Sequence, residues 1–118
     1  MSDVTMDFGE RVRTLDGDSF DRMVLQAGGR VAVEFMSYGC GYCRAIEPIV
    51  QRVANEIVNE VTIVQVNIAA EPELSGRYEI GGTPTFVMFL DGVEVGRVEG
   101  PDPTLSAVRA AITDPFLS

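Results

Sequence analysis

Two cysteines, Cys40 and Cys43, are the residues of this chain whose type and spacing predict chemistry. They stand at the junction between an apolar run and the start of a long amphipathic segment. A disulfide that closes so short a loop adds little stability, so reactivity explains the spacing better than stapling does. If Cys40 lies at the N-terminus of a helix, the free N–H groups there stabilise its thiolate. Cys43 then lies one turn further on, within reach of the Cys40 sulfur.

This spacing predicts thiol–disulfide exchange. The Cys40 thiolate attacks a substrate disulfide, and Cys43 resolves the mixed disulfide, leaving a redox-active Cys40–Cys43 disulfide and requiring no other cofactor. The alternative is half of a metal site, but zinc takes about four ligands, and the chain offers two cysteines and no histidine. Only a dimer that pools four thiolates, around zinc or an iron–sulfur cluster, would satisfy that alternative. We therefore predict no metal ligands.

Length and charge limit the class of protein. The 118 residues, 46% hydrophobic and 23% charged, fit one soluble domain with a real core, and we expect a monomer. A net charge of −9 argues against nucleic acid as a partner. No apolar run is long enough to span a bilayer. The segment from Met1 to Thr14 lacks the apolar stretch of a signal peptide, which predicts a cytoplasmic location. We predict a flexible leader over residues 1–9 and one domain over residues 10–118.

Hydrophobic periodicity predicts the order β-α-β-α-β-α-β-β-α, an α/β fold with a parallel sheet covered on both faces and a final antiparallel hairpin. The first helix follows a turn in which Asp18 or Ser19 is the expected cap, and a long helix follows Cys43. The predicted strands are Glu10–Leu15, Val31–Met36, Val61–Ile68, Thr85–Leu90 and Val93–Glu99, with Asp91-Gly92 as the hairpin turn between the last two. The two later helices are predicted over Glu71–Tyr78 and Pro103–Ile112.

Several short motifs together resemble the thioredoxin family over roughly residues 11–113. The matching segments are Val31-Ala32-Val33-Glu34-Phe35, Cys40-Gly41-Tyr42-Cys43-Arg44, Pro48, Val66-Asn67-Ile68, Tyr78-Glu79-Ile80-Gly81-Gly82-Thr83-Pro84-Thr85, Asp91-Gly92 and Gly100. The resemblance implies the thioredoxin fold, a five-stranded mixed central sheet flanked by four helices. It also implies a cis peptide bond at Thr83–Pro84 beside the cysteines. The substrate-contact residues that it implies are Gly41, Tyr42, Gly82, Thr83, Pro84 and Gly100.

Glu34 is the one charged residue in an otherwise apolar predicted strand. One interpretation places it at an edge or facing solvent. The resemblance instead places it where thioredoxins carry a buried acid, usually Asp, behind the second cysteine. Burial would raise the pKa of this carboxyl group, and Glu34 could then exchange a proton with Cys43 during resolution. We therefore count Glu34 with Cys40 and Cys43 as a catalytic candidate.

Departures from the family pattern leave the direction of the reaction open. Tyr42 replaces the usual proline, Gln65 replaces a common lysine, and the chain has no tryptophan. The Cys-Gly-Tyr-Cys motif resembles that of bacterial disulfide isomerases. The first hypothesis is a protein disulfide reductase acting on proteins with disulfides and supplied by an electron donor of the thioredoxin-reductase type. The alternatives are a disulfide oxidase or isomerase and a non-catalytic binding or chaperone module.

Overall fold

The computed structural model describes residues 12–117, which form one five-stranded sheet with helices on both faces. The strands lie in the order β1-β3-β2-β4-β5, where β1 is Arg13–Thr14, β2 is Arg30–Met36, β3 is Thr62–Asn67, β4 is Thr85–Leu90 and β5 is Val93–Glu99. The helices are α1 (Gly17–Phe20, continuing as a π-helical turn over Asp21–Leu25), α2 (Gly41–Glu56), α3 (Pro72–Arg77) and α4 (Leu105–Thr113). This is the predicted element order, and the predicted fold class is confirmed.

The central strand β2 is buried because it has neighbours on both edges and helices on both faces. It pairs in parallel with β3 and antiparallel with β4, which makes the sheet mixed. Alternate residues of β2 enter two different cores. Ala32 faces a cluster built with α2 and α4, whereas Val33 and Phe35 face a cluster built with α1 and α3. By the same alternation, Glu34 points to the side of the sheet that α2 covers.

The N-terminal part of the prediction needs correction. Glu10 and the leader over residues 1–9 lie outside the described residues, and within them β1 covers only Arg13–Thr14. The cap of α1 is Asp16 rather than Asp18 or Ser19. Its carboxylate accepts a hydrogen bond from the Ser19 N–H, and the Ser19 hydroxyl accepts one from the Asp16 N–H. This reciprocal capping box needs a spacing of three residues, which Asp16 and Ser19 have.

The start of the last helix also differs from the prediction. Thr104 is the N-cap of α4, because its hydroxyl accepts a hydrogen bond from the Ala107 N–H at 3.1 Å. The helix therefore begins at Leu105 and not at Pro103.

None of the helices found between residues 12 and 117 is long and apolar enough to cross a bilayer.

The β4–β5 turn carries the tightest backbone approach of a glycine. Asp91 and Gly92 both have positive φ angles, +51° and +84°, as the predicted two-residue hairpin turn requires. The turn is attached to the loop before β2, since the Asp91 carboxylate accepts from the Gly29 N–H at 2.7 Å. A Cβ atom at Gly92 would lie 2.4 Å from the Leu25 carbonyl oxygen, whereas one at Gly29, where φ is +83°, would meet nothing within 4 Å.

We predict that Gly29→Ala and Gly92→Ala separate backbone strain from steric clash. Gly29→Ala should lower the free energy of unfolding by about 1 kcal/mol, the cost of a left-handed alanine. Gly92→Ala should lose about 3 kcal/mol because the clash with Leu25 adds to that strain. Urea unfolding of both variants measures the difference. Equal losses in the two variants would show that the turn moves away from Leu25 at no cost.

Candidate active site

The two cysteines lie at the N-terminus of α2, just after the C-terminal end of the central strand β2. Cys40 is the N-cap residue, and its Sγ accepts a hydrogen bond from the Cys43 N–H at 3.1 Å. A cysteine sulfur therefore occupies the position that a Ser or Asp oxygen usually fills. Cys40 is partly exposed and Cys43 is buried, and both are free thiols. The attacking sulfur is thus the one that a partner can reach.

The surroundings separate the pKa values of the two thiols. Desolvation opposes ionisation of Cys40, but hydrogen bonds from the Cys43 thiol, Thr83 and the backbone N–H groups of Cys43 and Tyr42 outweigh it and lower the pKa of Cys40. Desolvation, followed by the hydrogen bond to Cys40, raises the pKa of Cys43 to about 11. At neutral pH Cys40 is therefore the better nucleophile, and Cys43 keeps its proton until a base removes it.

The loop before β4 lies beside Cys40 and forms a second part of the site. The Thr83–Pro84 peptide bond is cis, as the family resemblance implied. When Cys40 is protonated, its thiol donates to the Thr83 carbonyl oxygen at 3.5 Å. The Gly100 N–H donates to the Pro84 carbonyl oxygen at 2.9 Å, so the end of β5 borders the same surface. Thr83, Pro84 and Gly100 are therefore brought together beside Cys40.

Tyr42 links the cysteine motif to that surface. Its hydroxyl donates to the Pro101 carbonyl oxygen, and its ring lies 3.6 Å from where a Gly100 Cβ would be. A Cβ atom at position 100 would make ordinary contact with this ring, but the φ angle of +52° there favours glycine. Gly41 and Gly82 are both exposed. The Gly82 carbonyl oxygen accepts a hydrogen bond from the Thr85 hydroxyl at 2.7 Å. Of the predicted contact residues, Gly82 has no described contact with the cysteine motif and lies at the periphery.

Glu34 is completely buried, so the solvent-facing interpretation was wrong. Its Oε1 accepts a hydrogen bond from Gln65 Nε2 at 2.9 Å, and its Oε2 has no hydrogen-bond partner among the described residues. Desolvation raises the pKa of Glu34 to about 7, and the nearby Glu47 and Cys40 add to this, whereas the Gln65 hydrogen bond opposes it. Glu34 can therefore gain or lose a proton near neutral pH.

The sequence analysis did not predict the role of two residues that lie near Glu34. Gln65 appeared only as a departure from a lysine, and Glu47 was given no role. Gln65 Nε2 also donates to Glu47 Oε1 at 2.8 Å, which joins the two carboxyl groups through one amide. The helical spacing could have indicated Glu47, because it follows Cys43 by four residues and therefore lies on the same face of α2.

Comparisons with known proteins identify the family of the chain. The thioredoxin family model matches residues 11–114. The chain belongs to the thioredoxin family. Thioredoxin of Chlamydia pneumoniae is 37% identical over 89 residues, 75% of this chain and 84% of that protein. Thioredoxin 1 of Synechococcus elongatus is 34% identical over 85 residues, 72% of this chain and 79% of that one.

Solved structures agree with the family assignment. The crystal structure of Malassezia sympodialis thioredoxin superposes with a TM-score of 0.77 at 26% identity, covering 87% of this chain and 89% of that one. Mitochondrial thioredoxin 3 of Saccharomyces cerevisiae gives the same TM-score at 20% identity, over 91% and 97% of the two chains, and shows the shared fold. As a thioredoxin-family member the protein is a thiol–disulfide oxidoreductase.

We predict that Glu34→Gln removes a pH dependence of stability. The folded protein holds the Glu34 proton up to about pH 7, whereas an unfolded Glu releases it near pH 4.3, roughly its ordinary pKa. Between these values the folded state binds more protons, so its stability falls as the pH rises. Relative to wild type, Glu34→Gln should gain about 3 kcal/mol in unfolding free energy between about pH 5 and about pH 8.

Urea unfolding of the reduced proteins at the two pH values measures this gain. The exposed Glu60, changed to Gln, is the matched control and should follow wild type at both. Parallel pH dependence of wild type and Glu34→Gln would show that Glu34 is ionised throughout this range.

Proposed function

We propose that the chain is a protein disulfide reductase that works through Cys40 and Cys43. The observation that carries the proposal is the opposite direction of the two thiol pKa shifts, lowered at Cys40 and raised at Cys43. A pair tuned in this way attacks in a fixed order, with the exposed sulfur first. The hydrogen bond between the Cys43 thiol and the Cys40 sulfur supports disulfide formation between them.

In the first step the Cys40 thiolate attacks one sulfur of the substrate disulfide. A mixed disulfide forms between Cys40 and the substrate, and the other substrate sulfur leaves as a thiolate. In the second step Cys43 gives its proton to ionised Glu34, and its sulfur attacks that of Cys40. The Cys40–Cys43 bond forms and the second substrate thiolate leaves, so two electrons have passed from the chain to the substrate.

The surface beside Cys40 supports a peptide substrate in extended form. Thr83 presents its carbonyl oxygen beside the Cys40 sulfur, and the exposed Gly100 lies next to it, bonded to the carbonyl oxygen of the buried Pro84. The ring of Tyr42 covers Gly100 and forms an apolar border. We include Gly41 and Gly82 in the proposed surface because both are exposed and carry no side chain that blocks a backbone approach.

The cycle needs a reductant for the Cys40–Cys43 disulfide, and we propose an electron donor of the thioredoxin-reductase type as the partner. Both sulfurs of the cycle lie in one chain, which supports a monomer as the working unit and no cofactor beyond this disulfide. The cytoplasmic location stays a prediction.

We predict that the two cysteine variants fail at different steps. Cys40→Ser should lose disulfide-reducing turnover completely because no nucleophile reaches the substrate. Cys43→Ser should still attack but should accumulate a mixed disulfide through Cys40, because nothing resolves it. Mass spectrometry of Cys43→Ser with a disulfide-bonded peptide detects this adduct, and crosslinks from the trapped peptide to Thr83 would place it on the proposed surface.

Two outcomes would overturn the proposal. Turnover that survives in Cys40→Ser would exclude Cys40 as the nucleophile, and wild-type protein without turnover would favour a binding module. Equilibration with glutathione fixes the direction. A reduction potential near about −270 mV fits a reductase, whereas one between about −180 and −120 mV fits an oxidase or isomerase.

A further inference from the structure

Glu34 and Glu47 are two carboxyl groups that share one amide donor. Gln65 Nε2 lies 2.9 Å from Glu34 Oε1 and 2.8 Å from Glu47 Oε1. The side-chain amide nitrogen of Gln65 carries two hydrogens, and both are donated to this pair of carboxyl groups. Because like charges this close disfavour each other, the charge of Glu47 raises the pKa of Glu34.

The hydrogen bonds show which of the two groups holds the negative charge first. Glu47 accepts a second bond, from Gln51 Nε2 at 2.7 Å, and it is only partly buried. Glu34 is fully buried, and its Oε2 meets no donor within the described part of the chain. An anion with two amide donors and access to water is better solvated than one with a single donor. Glu47 is therefore the better-solvated carboxylate of the pair, and its charge adds to the burial that raises the pKa of Glu34.

A cavity of about 200 Å³ lies between Glu47 and the resolving cysteine. Its lining includes Cys43, Glu47 and Gln65, with Arg44 and Tyr38 at the same opening. Glu34 does not line the cavity, but Gln65, which does, donates a hydrogen bond to it. Glu47, one helical turn after Cys43, thus stands between the buried acid and solvent.

Among residues 12–117, the two strands that pair with β2 place no charge opposite Glu34. On β3 its register partner is Gln65 and on β4 it is Phe86, neither of which titrates. On α2 the titratable groups that act on Glu34 are Glu47 and Cys40. Cys43, the proposed proton donor, is neutral near pH 7. Arg44 donates to the Tyr38 carbonyl oxygen at 2.8 Å.

We propose that Glu47 is a positioning residue that sets the pH above which Cys43 can resolve the mixed disulfide. As a fixed anion on the shared Gln65 amide, it keeps the proton on Glu34 below neutral pH. Glu34 can accept the Cys43 proton only when it is ionised, so resolution slows as the pH falls. This inference rests on the proposed roles of Cys40, Cys43 and Glu34 and adds a residue that acts on Cys43 only through them.

The test is stopped-flow reaction of the reduced protein with an aromatic disulfide across a range of pH. Attack by Cys40 releases a first aromatic thiolate, and resolution by Cys43 releases the second, so the two steps are observed separately. In Glu47→Gln, which keeps an acceptor for Gln65 but removes the charge, the midpoint of the second phase should move to lower pH. At about pH 6 the second phase should be about threefold faster than in wild type, since ionisation changes tenfold per pKa unit.

Control variants separate this effect from general charge and from folding. Glu60→Gln removes the same charge beyond the C-terminal end of α2, roughly 24 Å along that helix from the cysteines, and should leave the second phase unchanged. Gln65→Lys places a cation between the carboxyl groups and should also move the midpoint to lower pH. Titration of the Glu34 carboxyl carbon by NMR in Glu47→Gln gives the same midpoint without any turnover.

The possible outcomes distinguish failure of the role of Glu47 from failure of the proposed reductase function. A second phase in Glu47→Gln that coincides with wild type, while Glu34→Gln abolishes the midpoint near neutral pH, would overturn the role of Glu47 and leave the proposed function intact. A midpoint near neutral pH that persists in Glu34→Gln would remove Glu34 as the base and the inference with it. Absence of the first phase in the wild-type protein would overturn the reductase proposal itself.

Discussion

The chemistry of this protein depends on one hydrogen bond, in which a cysteine sulfur replaces an oxygen as the cap of a helix. Cys40 accepts the N–H of Cys43 at the start of α2, where the helix presents partial positive charge. The bond stabilises the thiolate and fixes the second cysteine beside it. The rest of the fold holds this helix end in place. The buried strand β2 brings the chain to it, and apolar residues of α2 anchor the helix on the sheet.

The buried acid shows that the site is maintained at a cost in stability. Glu34 lies at 0% exposure in the central strand, with one of its oxygens lacking a partner among residues 12–117. An apolar residue there would pack without any desolvation penalty. A carboxyl group whose proton affinity lies near neutral pH is what a thiol such as Cys43 needs as its base. The sheet therefore carries a functional residue where stability alone favours a hydrophobic one.

Local patterns were sufficient to predict the element order, the site of the cysteines and the Asp91-Gly92 turn. These features follow from periodicity and from residues close in sequence. The burial of Glu34 and the cis bond at Pro84 came from the family resemblance. The Gln65 bridge could not be predicted, because it joins residues 31 and 18 positions apart and depends on side-chain geometry. The cap at Asp16 was missed because several acceptors stand together in that turn.

The pH dependence of Cys40 alkylation in the reduced wild-type protein tests the central claim most directly. Reaction with iodoacetamide over a range of pH, followed by mass spectrometry of the two cysteine positions, reports the thiolate fraction of each. The account predicts that Cys40 reacts with a midpoint below the value of about 8.5 found for an ordinary cysteine, while Cys43 stays unmodified. A Cys40 midpoint at or above that value would contradict the helix-capping thiolate.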